Sequence, residues 1–106
     1  MFLIRRVCKV ERKDSWQVAK LLTSICAAYE QKTDRGTATI YIGGAGTPAE
    51  EFTVCAEWKQ ETIEANRMPN VPQSVLNDNA ELFQLVLDYK IEFFEVATDE
   101  KLAERS

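Results

Sequence analysis

The sequence predicts an α+β fold whose elements follow the order β-α-β-β-α-β. Residues 38–58 alternate between apolar and polar side chains with period 2, which indicates two strands because successive side chains leave a strand on opposite faces. Apolar residues recur at helical spacing over 18–29. Alternation returns at both ends of the chain, at 2–11 and 90–97. The 106 residues are the size of one domain, 1–106.

The first strand is predicted over 2–11, with Arg6 in its more apolar row. Asp14 or Ser15 then offers a helix N-cap, and Gln17 completes a capping box with Asp14. The helix that follows carries one apolar stripe, formed by Val18, Leu21, Leu22, Ile25, Cys26 and Tyr29. Gly36 is a suitable stop for this helix.

A hairpin is predicted between Ala38 and Trp58. Its inner faces are formed by Ala38, Ile40 and Ile42 in the first strand and by Phe52, Val54, Ala56 and Trp58 in the second. Its tip contains Gly43, Gly44, Gly46 and Pro48. A phosphate-binding loop is disfavoured here, because that motif requires a following helix and a Lys-Ser/Thr pair.

The second half of the chain is predicted to contain one helix and one strand. Residues 59–74 read as an irregular connection, with a helical turn near Pro72 to Leu76. Asp78 and Glu81 form a second capping box, which predicts a helix to about Tyr89. This helix is expected to bury Leu82, Phe83, Val86 and either Leu85 or Leu87. The last strand is predicted over 90–97, and the polar tail 97–106 is expected to fray or to pack on a neighbour.

This element order predicts a ferredoxin-like arrangement, a four-stranded antiparallel sheet with two helices on one face. The first and third strands lie in the middle of such a sheet. The basic residues of the first strand would therefore lie between strands that carry glutamates, among them Glu51, Glu57, Glu92 and Glu95.

Composition excludes several classes of function. The net charge of −4 disfavours nucleic-acid binding, which requires a basic surface. No apolar run reaches the roughly 20 residues that span a bilayer. At the N-terminus the apolar residues precede the arginines, the reverse of a secretory signal, so we expect a cytoplasmic protein without membrane contact.

The chain has three cysteines and no histidine. Without a CxxC pair, Cys8, Cys26 and Cys55 are interpreted as reduced thiols that act as small core residues. The absence of histidine removes the commonest general base and the usual nitrogen ligand of haem and zinc. The acidic residues show no metal-ligand spacing. We therefore expect neither a metal nor a cofactor.

The sheet face opposite the helices is predicted to be apolar as well. The odd-numbered or the even-numbered residues of the first strand can face the helices. In either case the far side of the sheet keeps two apolar residues of that strand, either Leu3 and Val7 or Phe2 and Ile4, and one of Phe93 or Phe94. Tyr41 and Cys55 are expected on the same side. Exposed apolar patches of this kind usually mark an interaction surface. A homodimer that packs sheet on sheet through this face is the expected assembly.

The element order, the two-sided sheet and the tryptophan that closes the third strand (AEW, ending at Trp58) resemble the dimeric α+β-barrel superfamily. The resemblance covers nearly the whole chain and is either antibiotic-biosynthesis-monooxygenase-like or stress-responsive-like, with no motif that selects a member. It implies ferredoxin-like subunits paired sheet to sheet, with a ligand cleft between sheet and helices. Members include cofactor-independent monooxygenases, isomerases and haem-degrading enzymes. Members that bind haem through histidine are excluded.

The resemblance directs attention to Trp58, Asn66 and Arg67, at and after the end of the third strand. Trp58 could stack on an aromatic substrate while Asn66 or Arg67 binds an oxygen atom. The alternative, which we favour, is a core tryptophan beside a solvated loop.

Arg6 lies in an apolar row, where a guanidinium seldom stays buried without a partner. An ion pair with Glu95 or Glu57 is the favoured interpretation. Alternatively, Arg6 and Tyr41 orient a bound carboxylate or enolate.

Two hypotheses for function follow. The first is a small-molecule site in each subunit, in a cofactor-independent oxygenase or isomerase that acts on an aromatic or enolisable compound. Its base would be Glu57 or Glu95 with a raised pKa. The second is a non-enzymatic stress-related or interaction module whose apolar face serves only for assembly. An internal cavity lined by Trp58 and a polar group would favour the first.

Overall fold

The computed structural model describes residues 1–106 apart from the side chain of Asn66. Its strands and helices are β1 (Phe2–Val10), α1 (Ser15–Lys32), β2 (Thr39–Gly43), β3 (Thr53–Gln60), α2 (Gln73–Leu85), β4 (Val86–Glu95) and α3 (Asp99–Arg105). Short 3₁₀ helices at Arg12–Asp14 and Ile63–Asn66 complete the chain. The predicted order β-α-β-β-α-β is confirmed, with one further helix after the last strand.

The four strands form one antiparallel sheet in the order β2-β3-β1-β4, as predicted. The central strand β1 is flanked by acidic residues, because Arg5 lies opposite Glu57 on one side and Glu92 on the other. The Arg5 guanidinium donates to the Glu57 carboxylate over 2.8 Å. The predicted neutralisation of the basic first strand by its neighbours is confirmed.

The hydrophobic core lies between the sheet and α1 and α2. Helix α1 packs on β2 and β3 and also on α2. The even-numbered residues of β1 and β3 face the helices, since they form the buried row of each strand. The fully buried side chains include Ile4, Cys8, Val18, Leu22, Ile25, Val54, Val75 and Leu82. The apolar stripe predicted for the first helix is the face that supplies α1's share of this core.

The junction between α1 and β2 depends on a close backbone approach at Gly36. The Gly36 amide donates to the Lys59 carbonyl over 2.7 Å. A Cβ at position 36 would lie 2.7 Å from that same carbonyl oxygen. Glycine is therefore required by packing on β3, beyond its predicted role in stopping the helix.

The glycine-containing segment after β2 is a hairpin tip, because β3 follows it and pairs with β2. Gly44 has a φ of 93°, a conformation that favours glycine. The tip does not lead into a helix, so it lacks the geometry of a phosphate-binding loop.

Both predicted capping boxes are wrong. Asp14 precedes α1 but its side chain makes no cap hydrogen bond. Asp78 lies inside α2, where its carboxylate accepts a hydrogen bond from Ser24 of α1 over 2.9 Å. The helix begins earlier, after Pro72, whose fixed φ suits a helix start.

The early start of α2 also shifts its end. The helix stops at Leu85, and β4 begins at Val86 rather than at the predicted residue 90. Tyr89 is therefore a strand residue. Phe83, predicted to be buried, is 51% exposed at the edge of the helix layer. The tail, expected to fray or to pack on a neighbour, contains the short helix α3, whose first turn is capped by the Thr98 hydroxyl.

The far face of the sheet carries the apolar residues predicted for one of the two parities, together with charged residues. Leu3, Val7 and Cys55 form a half-buried apolar centre, with Tyr41 and Phe94 exposed beside it. Charged side chains share this face, including Arg5, Lys9, Glu57, Lys59, Lys90 and Glu92. Arg5 covers part of the apolar area, because its guanidinium carbon lies 5.2 Å from the Phe94 ring centroid.

Among the helices that the structure describes, none is long and apolar enough to cross a bilayer.

Candidate ligand cleft

A cleft of about 400 Å³ opens between the sheet and the two helices that cover it. It is lined by Ile4, Arg6, Tyr29, Arg35, Trp58, Asn79, Phe83, Tyr89 and Ile91. The residues come from the helix-facing rows of β1, β3 and β4, from α1 and the connection that follows it, and from α2. Among the described residues, this lining combines four aromatic rings with two guanidinium groups, and it includes no aspartate or glutamate.

Arg6 forms the floor of the cleft. It lies opposite Ala56 and Ile91 in the sheet and is only 9% exposed. Its guanidinium carbon lies 5.2 Å from the centroid of the Tyr89 ring. Its buried Nε makes no hydrogen bond, and no carboxylate of the described side chains lies within 4.0 Å of the group. A buried cation without an acidic partner is rare and costly, so this position is available to an anion.

Arg35 occupies the neighbouring wall between two aromatic rings. Its guanidinium carbon lies 4.2 Å from the Tyr29 ring centroid and 4.1 Å from the Trp58 ring centroid. Burial lowers the pKa of Arg35, and the positive charge of Arg6 lowers it further, whereas nearby Glu30 raises it. The Glu30 carboxylate also accepts a hydrogen bond from the Ala38 amide over 2.6 Å. Two guanidinium groups therefore repel each other within one cleft.

The side chain of Trp58 is fixed by hydrogen bonds that run through Gln60. Its indole N–H donates to Gln60 Oε1 over 2.9 Å, and Gln60 Nε2 donates in turn to the carbonyls of Thr62 and Ile63. Trp58 is 3% exposed, so it is a core residue whose ring also faces the cleft. The two interpretations of this tryptophan are compatible in the structure.

Tyr89 and Phe83 form the remaining aromatic wall. Their ring centroids lie 5.2 Å apart in an edge-to-face arrangement. Burial raises the pKa of Tyr89, and the charge of Arg6 opposes that rise. Tyr89 is therefore a neutral hydroxyl at physiological pH, suited to donate a hydrogen bond.

Several residues predicted for the site lie elsewhere. Tyr41 and Glu57 are on the far face, because both have the parity that points away from the helices. The predicted pairing of Arg6 with Glu57 is therefore wrong, since Glu57 pairs with Arg5. Arg6 and Tyr41 lie on opposite faces of the sheet, so the two side chains do not converge on one bound carboxylate or enolate as the alternative prediction required. Glu95 is exposed at the end of β4, opposite Phe2, and forms no ion pair with Arg6.

The loop residues after β3 contribute less than the resemblance implied. Arg67 is exposed and does not line the cleft. The predicted role of Asn66 falls on a side chain outside what the structure describes. Of the predicted ligand-binding residues whose side chains the structure describes, Arg6 and Trp58 are the two that line the cleft.

Sequence reasoning missed Arg35, Asn79 and Tyr89. Arg35 reads as a basic residue at a helix end, a pattern that is common in exposed positions. Tyr89 was assigned to a helix, which hid its place opposite Cys8 in the sheet. The available signal was the alternation of Tyr89, Ile91 and Phe93, which continues the helix-facing row of β4. Among the residues the structure describes, no cluster of His, Cys, Asp or Glu is suited to hold a metal ion.

No known family model matches the sequence, and no curated protein matches it. The fold, in contrast, matches solved structures. A candidate antibiotic biosynthesis monooxygenase from Deinococcus radiodurans aligns with a TM-score of 0.69 at 15% identity, over 92% of this chain and 94% of that chain. SnoaB, a cofactor-independent oxygenase from Streptomyces nogalater, aligns with a TM-score of 0.64 at 11% identity, over 92% and 93%.

The chain has the antibiotic biosynthesis monooxygenase-like fold. A NIPSNAP domain protein from Burkholderia xenovorans shares it, with a TM-score of 0.68, 12% identity and coverage of 93% and 97%. The ferredoxin-like fold that the resemblance implied is thus confirmed. At these identities the likeness extends to the architecture, and the activity has to be argued from the cleft.

Proposed function

We propose that the protein binds a small aromatic or enolisable compound in the cleft and acts on it as a cofactor-independent oxygenase or isomerase. The observation that carries the proposal is the enclosure of two guanidinium groups, Arg6 and Arg35, by aromatic rings in a space of about 400 Å³. Ligand sites are typically apolar clefts of this size with a few convergent polar groups. One solved structure of the same fold is described as a cofactor-independent oxygenase.

The chemistry that suits this cleft is stabilisation of an anion. A conjugated substrate that loses a proton becomes an enolate, and the positive charges of Arg6 and Arg35 favour that anion in this cleft. The lining contains no carboxylate and no histidine, and the pKa of Tyr89 is raised. We therefore infer that the substrate is acidic enough to give its proton to solvent, and that Glu57 and Glu95 take no part.

Trp58 fluorescence tests this proposal. The second tryptophan, Trp16, is 68% exposed, so a Trp16→Phe variant isolates the emission of Trp58. Titration with a panel of aromatic acids and quinols is expected to change that emission at saturating concentration. Oxygen uptake with the quinols that bind, without added metal or cofactor, then tests for oxygenase activity. No emission change across the panel would favour the alternative, a non-enzymatic stress-related or interaction module.

We also propose a homodimer that packs through the far face of the sheet. The apolar centre around Leu3 and Val7 supports this assembly, as do the exposed rings of Tyr41 and Phe94. Light scattering is expected to give twice the subunit mass of 12.1 kDa. Val7→Asp is expected to give the subunit mass, whereas Leu76→Asp on the exposed side of α2 is not. A wild-type mass of one subunit at micromolar concentration would overturn this proposal.

A further inference from the structure

We propose that the ligand of the cleft is an aromatic monocarboxylate whose carboxylate binds at the guanidinium of Arg6. This inference rests on the proposed binding function and adds the charge and the recognition group of the ligand. It starts from Arg6, which is 9% exposed and whose Nε makes no hydrogen bond. A buried N–H without an acceptor costs free energy, and a ligand oxygen at this atom would recover it.

Charge balance around Arg6 favours an anion over a neutral acceptor. The acids nearest in the sheet are engaged elsewhere, since Glu57 pairs with Arg5 on the opposite face. The second cleft cation, Arg35, adds to the positive charge of the site, because the charge of Arg6 lowers the pKa of Arg35 more than that of Glu30 raises it. Arg6 forms no ion pair with an acid of the described residues, so the cleft carries an excess of positive charge. A monoanion offsets part of this charge and costs less to desolvate between largely apolar walls than a phosphate dianion does.

The geometry of a guanidinium selects carboxylate among monoanions. Its N–H groups form a planar fork that matches two carboxylate oxygens. The Tyr89 ring lies against Arg6 and keeps the fork from rotating freely. The Phe83 ring meets Tyr89 edge to face and extends the apolar wall toward the cleft mouth. A carboxylate at Arg6 therefore directs an attached aromatic ring between these side chains and Trp58.

Calorimetric titration with a matched pair of compounds tests the inference. Indole-3-acetate and indole-3-acetamide share ring and shape and differ in charge. The acid is expected to bind at least about tenfold more tightly, because hydrogen bonds to charged groups are the stronger class. Arg6→Met is expected to abolish this preference. Arg5→Met, the adjacent residue on the opposite face, is expected to keep it.

The outcomes separate the two proposals. Equal binding of acid and amide to the wild-type protein, or an unchanged preference in Arg6→Met, would overturn the carboxylate inference and leave the binding function intact. Failure of both compounds to bind would count against the proposed function, and the inference would fall with it. Arg6→Lys keeps the charge and removes the fork, so it is expected to retain only part of the preference. Circular dichroism spectra that match the wild type establish that each variant is folded.

Discussion

The indole N–H of Trp58 donates to the side-chain oxygen of Gln60, two residues further along the same face of β3. The amide nitrogen of Gln60 then donates to the carbonyls of Thr62 and Ile63 over 2.8 and 3.0 Å. One buried glutamine therefore couples the orientation of the cleft tryptophan to the 3₁₀ helix that follows the strand.

Truncation of the Gln60 side chain is expected to lower the stability of the protein. Gln60→Ala leaves the indole N–H of Trp58 and the carbonyls of Thr62 and Ile63 without their hydrogen-bond partner. Because Gln60 is only 3% exposed, water cannot replace it, and we expect a loss of about 2–3 kcal/mol in the free energy of unfolding. Chemical denaturation followed by Trp58 emission in the Trp16→Phe background measures it. Gln17→Ala is the matched control, because Gln17 also donates to a side chain, that of Glu81, but in an exposed position. Equal losses in the two variants would contradict the assigned role.

The α1–β2 connection packs closely on β3 at Gly36, so replacing Gly36 by alanine is expected to lower stability more than the same change at Gly46. Gly36→Ala places a methyl group 2.7 Å from the Lys59 carbonyl oxygen, so the backbone must shift, and a loss of about 1–3 kcal/mol is expected. Gly46→Ala at the hairpin tip meets nothing within 4 Å and is expected to change stability by less than about 0.5 kcal/mol. Thermal denaturation of both variants checks the difference. A Gly36→Ala protein as stable as Gly46→Ala would show that the connection is free to move.

The packing of α2 on the core predicts a contrast between two of its leucines. Leu82 is fully buried, and Leu82→Ala is expected to remove about 2–5 kcal/mol of stability. Leu76 is half exposed on the same helix, and Leu76→Ala is expected to cost less than about 1 kcal/mol. Urea denaturation measures both. Similar midpoints for the two variants would contradict the orientation of this helix.

Buried thiols predict a loss of stability at alkaline pH. Burial raises the pKa of the Cys8 thiol from its ordinary value of 9.0 to about 11. Between these values the unfolded chain releases the proton and the folded chain keeps it, so stability that is full below pH 9 declines as the pH rises toward 11. Two pKa units correspond to at most roughly 2–3 kcal/mol. The pKa values of Cys26 and Tyr89 are also raised, so both groups add to the decline.

The Cys8 contribution is isolated by substitution. Denaturation midpoints of wild type and Cys8→Ala are compared from pH 7 to pH 11. The variant starts from a lower stability because it loses core volume, but its alkaline decline is expected to be shallower. Parallel declines in the two proteins would assign the effect to other groups.

Local sequence pattern determined most of the fold. The alternation in β1 and β3 and the stripe on α1 each fix which side chains are apolar on one face, and burial of those faces leaves few arrangements of four strands and two helices. The charge pattern of β1 also followed from sequence, since Arg5 pairs with Glu57 as antiparallel neighbours. The boundaries of α2 did not follow, because Asp78 bonds to Ser24 of another helix rather than capping its own.

The site was decided by the tertiary structure. Sequence marked Arg6 as a cation in an apolar row. However, Glu57, one of its two predicted ion-pair partners, and Tyr41, predicted to orient a bound anion with it, lie on the other face of the sheet. Only the folded chain brings Arg35 from beyond the end of α1 onto Trp58, with 4.1 Å between guanidinium and ring. The pattern of apolar and polar residues within one strand or helix indicates which face of that element a residue occupies. The distance between side chains on different elements depends on how those elements pack, and the resulting cluster of Arg6, Arg35 and aromatic rings supports the proposal of an anion site in this cleft.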